Sequence, residues 1–336
     1  MTSELETRYY APLVVEVTSE DEGKQIRTVL ERRLGVSRKL LSRLKLTEHG
    51  ITLNGRRAYT SVPVRAGDRL ELYMERETSE DILAEPQELE IVYEDDELLV
   101  VNKRAGVIVH PTHGHYTGTL ANGVVHHWAA RGERVRFRPV HRLDQETSGL
   151  VAIAKNPYIH QQLSEQLQRD EIDKRYCAYV YGVPEPSTAT IDAPQERDPD
   201  DPHMRIVTPA GYRAVTHYET AAVYGRAADG SGAGEAALVR LRLETGRTHQ
   251  IRVHLLHIGC PLIGDAMYRR AADRLRPWAA AAHAAAGRHA LHAERLTLTH
   301  PGRRERMTFV APLPRELRAL ERVLEHMPSE AGSHSI

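Results

Sequence analysis

The spacing of apolar residues changes along the chain and divides it. Leu13-Val14-Val15-Glu16-Val17 is an extended run. From Lys24 to Leu34 the apolar residues Ile26, Val29, Leu30 and Leu34 recur at three and four, the spacing of an amphipathic helix. Gly35 supplies a stop, and Ser37 is placed to cap a second helix beginning Arg38-Lys39-Leu40-Leu41. Period two then takes over. Gly50-Ile51-Thr52-Leu53 runs into Asn54-Gly55, a strong hairpin signal, and Arg69-Leu70-Glu71-Leu72-Tyr73 alternates again after a turn at Gly67-Asp68. The segment from Glu75 to Glu88 is acidic, poor in large apolar residues and contains Pro86, so it reads as a linker.

A longer pattern follows. Leu89 to Tyr93 and Leu98 to Val101 are paired strands around an acidic turn, and Thr119 to Trp128 is helix-like. Leu150-Val151-Ala152-Ile153-Ala154, short, apolar and ended by Lys155-Asn156-Pro157, predicts a buried strand. Ile159, Leu163 and Leu167 share one face of a helix from Tyr158 to Arg169. Ile172 to Gly182 predicts a strand with Tyr176, Ala178 and Val180 on one face and Cys177, Tyr179 and Tyr181 on the other. Further strands are expected at Ala214–Glu219, Leu238–Leu243 and Leu291–Leu298, with a Pro/Asp-rich loop at 194–202 and a hairpin tip at the Gly/Ala-rich 225–235. Thr245 or Thr248 is expected to cap the helix that carries Arg252. The Ala-rich 271–287 segment reads as a helical, variable insertion, and Pro314–His326 as an amphipathic helix.

The fold expected is α+β: a catalytic domain of mixed, mostly antiparallel β-sheet with flanking helices and a central cleft, preceded by a small basic αα-β domain. The boundaries are 12–76 for the basic domain, 77–88 for the linker, 89–328 for the catalytic domain and 329–336 for a flexible tail.

Composition narrows the class. The 336 residues are 41% hydrophobic and 27% charged, ordinary for a soluble protein. No apolar run approaches the roughly 20 residues that span a bilayer. Met1 to Glu6 lacks the regions of a signal peptide, and Cys177 and Cys260 lie far apart without metal-ligand spacing. A reduced, cytoplasmic protein, monomeric and without membrane contact, is the expectation.

The net charge of −1 conceals an asymmetry. Residues 23–76 hold 13 Lys+Arg against 5 Asp+Glu, and the remainder 32 against 41. So local an excess points to a polyanion contact confined to one module rather than to a solvated helix face. Arg38, Lys39, Arg43, Lys45, Arg56 and Arg57 surround the junction of helices and hairpin and are the candidate RNA contacts.

The candidate chemistry lies at His141-Arg142-Leu143-Asp144-Gln145-Glu146-Thr147-Ser148-Gly149, where one carboxylate enters a core strand. Taken alone, Asp144 is a turn residue that pairs with Arg142. Three histidines within six residues, His110, His113 and His115, raise a metal site, but no carboxylate or Cys completes a ligand set and Gly and Pro mark a loop. No metal or other cofactor is therefore assigned. Arg247 and Arg252 are spaced to face one cleft. A kinase loop lacks the Leu at position 143, and no Gly-rich phosphate loop accompanies it. A glycosidase needs a second carboxylate, which nothing singles out. An inert RNA-binding protein is the remaining alternative.

Two resemblances settle the expectation. Gly35 to Leu41, Leu53-Asn54-Gly55-Arg56 and Val64 to Asp68 resemble the alpha-L RNA-binding module. His141 to Gly149 looks like the signature of the RluA-type pseudouridine synthases. Lys174 to Gly182, Thr245 to His254 and Leu291-His292-Ala293 match the same family in order, as does Gly106 to Leu120. The resemblance covers about 88–325; Arg269, where the family usually has Gly, departs from it. It implies cofactor-free isomerisation of uridine in RNA to pseudouridine, with ribosomal RNA favoured over transfer RNA. Asp144 would be the nucleophile, attacking C1′ or C6, with Arg252 as its salt-bridge partner and Arg247 as second choice. Tyr176 would pack on the uracil and take the C5 proton. Leu291 would line the opposite side, Arg142 would fill the gap left by a flipped uridine, and His141 would contact substrate.

Overall fold

In the computed structural model, residues 7–225 and 235–327 are described. The first unit runs β1 (Leu13–Glu16), α1 (Ile26–Leu34), α2 (Arg38–Leu44), β2 (Ile51–Leu53), β3 (Arg56–Arg57) and β4 (Arg69–Leu72). Its sheet has the order β1-β4-β2-β3, antiparallel throughout. The signals act as expected. Gly35 turns left-handed and ends α1, the Ser37 hydroxyl accepts the Leu40 N–H at 3.2 Å, and Asn54 and Gly55 both take positive φ in the hairpin turn.

The second unit contains β5 (Glu90–Glu94), β6 (Leu98–Lys103), α3 (Leu120–Ala130), β7 (Ser148–Ala154), α4 (Pro157–Gln168) and β8 (Asp173–Tyr181). After these come β9 (Thr188–Asp192), β10 (Gln195–Arg197), β11 (Arg205–Val207), β12 (Val215–Tyr224), β13 (Ala236–Leu243) and α5 (Gln250–His257). The chain ends with α6 (Ala279–Ala286), β14 (Leu291–Thr299), β15 (Arg306–Val310) and α7 (Arg315–Glu325). Among the described residues, nine strands form one sheet in the order β5-β6-β7-β14-β8-β13-β12-β9, with β15 on β14. Among the described strands only β7 and β14 pair in parallel; the other pairs are antiparallel, the mixed and mostly antiparallel sheet expected. Alternation along β8 sends Tyr176, Ala178 and Val180 into the core beneath α3 and α5. Tyr179 and Tyr181 go to the opposite face, under α6 and α7.

The two units share a packed boundary. Val36, Leu40 and Leu41 belong to the same apolar core as Tyr158, Ile159 and Leu163 of α4. Helix α1 ends against α4, where Tyr158 donates to the Leu34 carbonyl at 2.8 Å and Gln161 to that of Gly35 at 2.6 Å. The orphan carbonyls of one helix end are thus satisfied by side chains of the other unit. The connecting residues 77–88 are also held. Glu77 pairs with both Arg43 and Arg138, the Ser79 hydroxyl accepts the Phe137 N–H at 2.8 Å, and Ile82 is buried.

Three expectations change. The Ala-rich 271–287 segment is packed: Trp278, Ala279, Ala282 and Ala286 are buried with Tyr181 and the α7 leucines Leu317, Leu320 and Leu324. Neither Thr245 nor Thr248 caps α5. His249 holds that position in a left-handed conformation, and the Thr245 hydroxyl instead bonds Gln250 and the Val215 N–H. The short strands β9, β10, β11 and β15 are additions to the expected set. β12 and β13 pair on either side of the expected hairpin tip at 225–235, whose residues 226–234 lie outside the described residues, as does the tail at 329–336. No described helix is long and apolar enough to cross a membrane.

Candidate active site

Asp144 sits where the chain turns back on itself. Residues before it lie along β7, with the Val140 N–H on Ala152 O and the Ala154 N–H on Arg138 O, both at 2.9 Å. The Thr147 N–H closes the turn onto Asp144 O at 3.1 Å. The two carbonyls that follow are clamped from beneath. Buried Lys103 donates to Gln145 O at 3.0 Å and also to Arg104 O and Val107 O, while Arg288 donates to Glu146 O at 2.8 Å. The Thr147 hydroxyl meets His289 Nε2 at 2.8 Å, and that of Ser148 meets His292 Nδ1 at 2.9 Å. Burial pushes the Lys103 ammonium down to about 7, with Arg288 acting in the same direction.

Two glycines let the loop approach so closely. Gly149 has φ +118°, and a Cβ there would stand 2.3 Å from Ala293 O across the parallel pair. Gly264 has φ +79°, and a Cβ there would stand 2.0 Å from Arg288 O. Both positions need positive φ and close backbone approach, which only glycine supplies without strain.

Above the loop the charges are ordered. Arg252, on α5, turns Nε and Nη2 to Asp265 at 2.7 and 2.9 Å and points Nη1 at Asp144 Oδ2, 3.7 Å away. Asp265 is held in turn by the N–H groups of Met267 and Tyr268, at 2.9 and 3.0 Å. Burial alone would push the Asp265 carboxyl up, but the Arg252 bonds and charge prevail and hold it low. Burial likewise opposes the Arg252 charge, and Asp265 outweighs it. The planar fork is spent on one carboxylate so that its last nitrogen faces the other.

The cleft around Asp144 has a volume of about 460 Å³ and is lined by His141, Arg142, Tyr176, Arg247, His249, Arg252 and Leu291, among others. All the expected site residues of the catalytic domain therefore meet in one place. Four of them are set apart by their surroundings. Arg142 is exposed, and among the described residues it forms no ion pair, so the pairing with Asp144 is not made. Arg247 lies at the rim, with Nε on Arg213 O at 3.2 Å and its guanidinium 5.7 Å from the Tyr212 ring. His141 Nε2 accepts the Ala152 N–H at 3.3 Å, which puts the ring proton on Nδ1. Burial, with Lys174 nearby, pushes that imidazole down to about 3. Burial and then the Asp144 charge push the Tyr176 phenol up, so it enters the cleft protonated, a stacking face and a donor rather than a ready base.

Sequence reasoning missed Asp265, His249, Lys103 and Arg288. Asp265 follows a glycine, a turn signal, and His249 stands inside the Thr245–His254 motif, so both were visible as letters. Their partners are distant along the chain, which is why roles were not. The histidines considered as metal ligands, His110, His113 and His115, lie exposed on the 106–118 loop. The six module residues Arg38, Lys39, Arg43, Lys45, Arg56 and Arg57 line the surface of the first unit, and all six are exposed. Arg43 is occupied by Glu77, and Arg57 donates to Lys45 O at 3.2 Å.

A mixed sheet that carries an aspartate loop facing an arginine, with a tyrosine lining the same open cleft and a basic module in the same chain, is the arrangement of an RNA-modifying isomerase. Comparison with known proteins agrees, and the chain belongs to the RNA pseudouridine synthase family. The family model described as RNA pseudouridylate synthase matches residues 97–257, and the RluD ribosomal pseudouridine synthase N-terminal domain matches 13–70. Ribosomal large subunit pseudouridine synthase D of Pseudomonas aeruginosa is 40% identical over 257 residues, 75% of this chain and 77% of that protein. An uncharacterized RNA pseudouridine synthase of Bacillus subtilis is 38% identical over 288 residues, 85% of this chain and 95% of that one. Among solved structures, human RNA pseudouridylate synthase domain containing 4 shares the fold, with a TM-score of 0.55 at 24% identity, over 71% of this chain and 94% of that one.

Proposed function

We propose that this RNA pseudouridine synthase acts on structured ribosomal RNA of the large subunit, with Asp144 as its nucleophile. The observation that carries the chemistry is the buried Asp265–Arg252 pair aimed at Asp144 across 3.7 Å, in a cleft that also holds Tyr176 and Leu291. An ionised carboxylate beside a guanidinium, under two apolar faces, suits attack on a flipped uridine. Uridine and its product are isomers, so the atoms balance within the substrate. C1′–N1 breaks, C1′–C5 forms, a proton leaves C5 and one arrives at N1. Asp144 attacks either C1′ or C6 and is released in the course of the rearrangement.

The target reading rests on the relatives, among them those from Pseudomonas aeruginosa and Haemophilus influenzae that are named as ribosomal large-subunit enzymes, and on the exposed basic module. Phosphate contacts fix register, and structured RNA is read through backbone and shape. Transfer RNA is the second reading. Mapping pseudouridines in total RNA from a strain without this protein tests the reading. One or more large-subunit positions should revert to uridine, return with the wild-type gene and stay uridine with Asp144→Asn. Loss confined to transfer RNA would replace the target, and no loss anywhere would overturn it.

A further inference from the structure

His249 occupies a costly position. Its φ of 59° and ψ of 16° are left-handed, which a residue with a Cβ seldom adopts and which persists only where the surroundings impose it. The result is a ring on the wall shared by the nucleophile's cleft and a second cavity of about 520 Å³, both of which Arg142 also lines. Its hydrogen bonds fix its tautomer. The Tyr268 hydroxyl accepts the Arg205 N–H at 2.8 Å and lies 2.9 Å from His249 Nδ1. Among the described residues, His249 Nδ1 is the one acceptor within reach of the hydroxyl's own proton. Nδ1 therefore accepts, and the imidazole proton sits on Nε2. That Nε2 lies 4.0 Å from Asp144 Oδ2, beyond hydrogen-bond range, so the donor remains unspent beside the nucleophile. Burial outweighs the neighbouring Asp144 charge and keeps the ring neutral.

We propose that His249 is a second catalytic residue, whose Nε2–H donates a hydrogen bond to the uracil carbonyl that becomes negative as Asp144 reacts. The proposal rests on the reading of Asp144 as nucleophile. If C1′ is attacked, the electron pair of the C1′–N1 bond passes to the ring and reaches O2. If C6 is attacked, the charge reaches O4. A fixed, neutral donor in a sheltered cleft gains most where charge appears only in the transition state. The imidazole keeps its proton throughout, so the proton balance of the isomerisation is unchanged. Tyr268 is a positioning residue that holds the tautomer.

The test uses the full-length protein and a synthetic RNA stem–loop spanning a uridine mapped as above. Turnover by wild type and none by Asp144→Asn first establishes the underlying reading on its own. His249→Ala should then lower kcat by about 10²–10³-fold, the usual loss of one oxyanion donor, with KM within about threefold. His249→Gln, whose amide N–H reaches the same place, should restore at least about tenfold. Sulfur is a poor acceptor, so replacing O2 or O4 of the target by sulfur should slow wild type by about tenfold at one of the two positions and leave His249→Ala indifferent there. The position that responds identifies the carbonyl. A His249→Ala rate within about threefold of wild type, or equal sulfur effects in both proteins, overturns the proposal. If His249→Ala loses its circular dichroism spectrum, the same sulfur comparison on His249→Gln decides: a retained effect supports it, and an absent effect overturns it.

Discussion

The cleft and the basic module both collect arginines, and they use them in opposite ways. In the cleft the cations are buried and committed: Arg252 is forked onto Asp265, and Arg288 spreads over Glu146 O, His289 O, Leu291 O, Ser148 and Glu316. In the module Arg38, Lys39 and Arg56 lie at the surface, and among the described residues they have no ion-pair partner. Desolvated charge is expensive unless every donor is used, so the cleft spends it on geometry. Exposed charge contributes little to folding, so the module can keep it for a polyanion. One region orders its charges before substrate arrives, and the other leaves them free until it does.

The largest expected effect breaks the cleft's side of this contrast. Asp144→Asn should lower turnover by at least about 10⁴-fold, as removal of a nucleophile does, while RNA affinity and the unfolding midpoint stay near wild type. A single-turnover assay with a binding titration reads both; appreciable activity would remove Asp144 from its role.

Next comes the backbone that lets the charges meet. Gly149→Ala would press a Cβ onto Ala293 O and force a positive φ on alanine. A loss of about 3 kcal/mol or more in urea unfolding is expected, with activity falling as β7 and β14 part.

Smaller per pH unit is the effect that distinguishes the regions by protonation. Burial pushes the His141 and His289 imidazoles down to about 3, from 6.5. The unfolded chain therefore takes up protons that the native cleft refuses. Stability is full above pH 6.5 and is lost as pH falls towards 3, with a limiting slope of about 1.4 kcal/mol per pH unit for each group. Urea titrations between pH 7 and 4 should show it, and a His289→Gln variant should show a shallower slope. An unchanged slope would mean that the ring is not buried neutral.

The smallest effect per residue belongs to the module. Arg38→Ala with Lys39→Ala and Arg56→Ala should leave kcat at saturating RNA and the unfolding midpoint unchanged. Affinity should weaken, and the slope of log K against log salt should shrink by about 0.7–0.9 for each phosphate that is no longer neutralised. Arg43→Ala, which leaves Glu77 with Arg138 alone, should differ by lowering stability slightly. An unaltered salt slope in the triple variant would place the RNA elsewhere.

The sequence by itself determined whatever rests on local rules. Helices α1, α2, α4 and α7, the strands β7, β8, β13 and β14, and the Asn54-Gly55 turn follow from period and punctuation, because their burial is written as contrast along the chain. The loop of Asp144 and the concentration of charge in residues 23–76 were legible for the same reason, and the order of motifs named the family. Where contrast is missing, the helix was legible but its packing was not. Alanines at 279–286 show no amphipathic stripe, yet their small size is what lets α6 sit against α7 and Tyr181. Contacts between residues far apart in sequence could not be seen at all. Only the tertiary structure turned Arg252 onto Asp265, set the Tyr268 hydroxyl against His249, and closed Lys103 and Arg288 over the carbonyls of the catalytic loop. These are hydrogen-bond geometries, fixed by distances of a few ångströms across the fold, and no spacing along the chain encodes them.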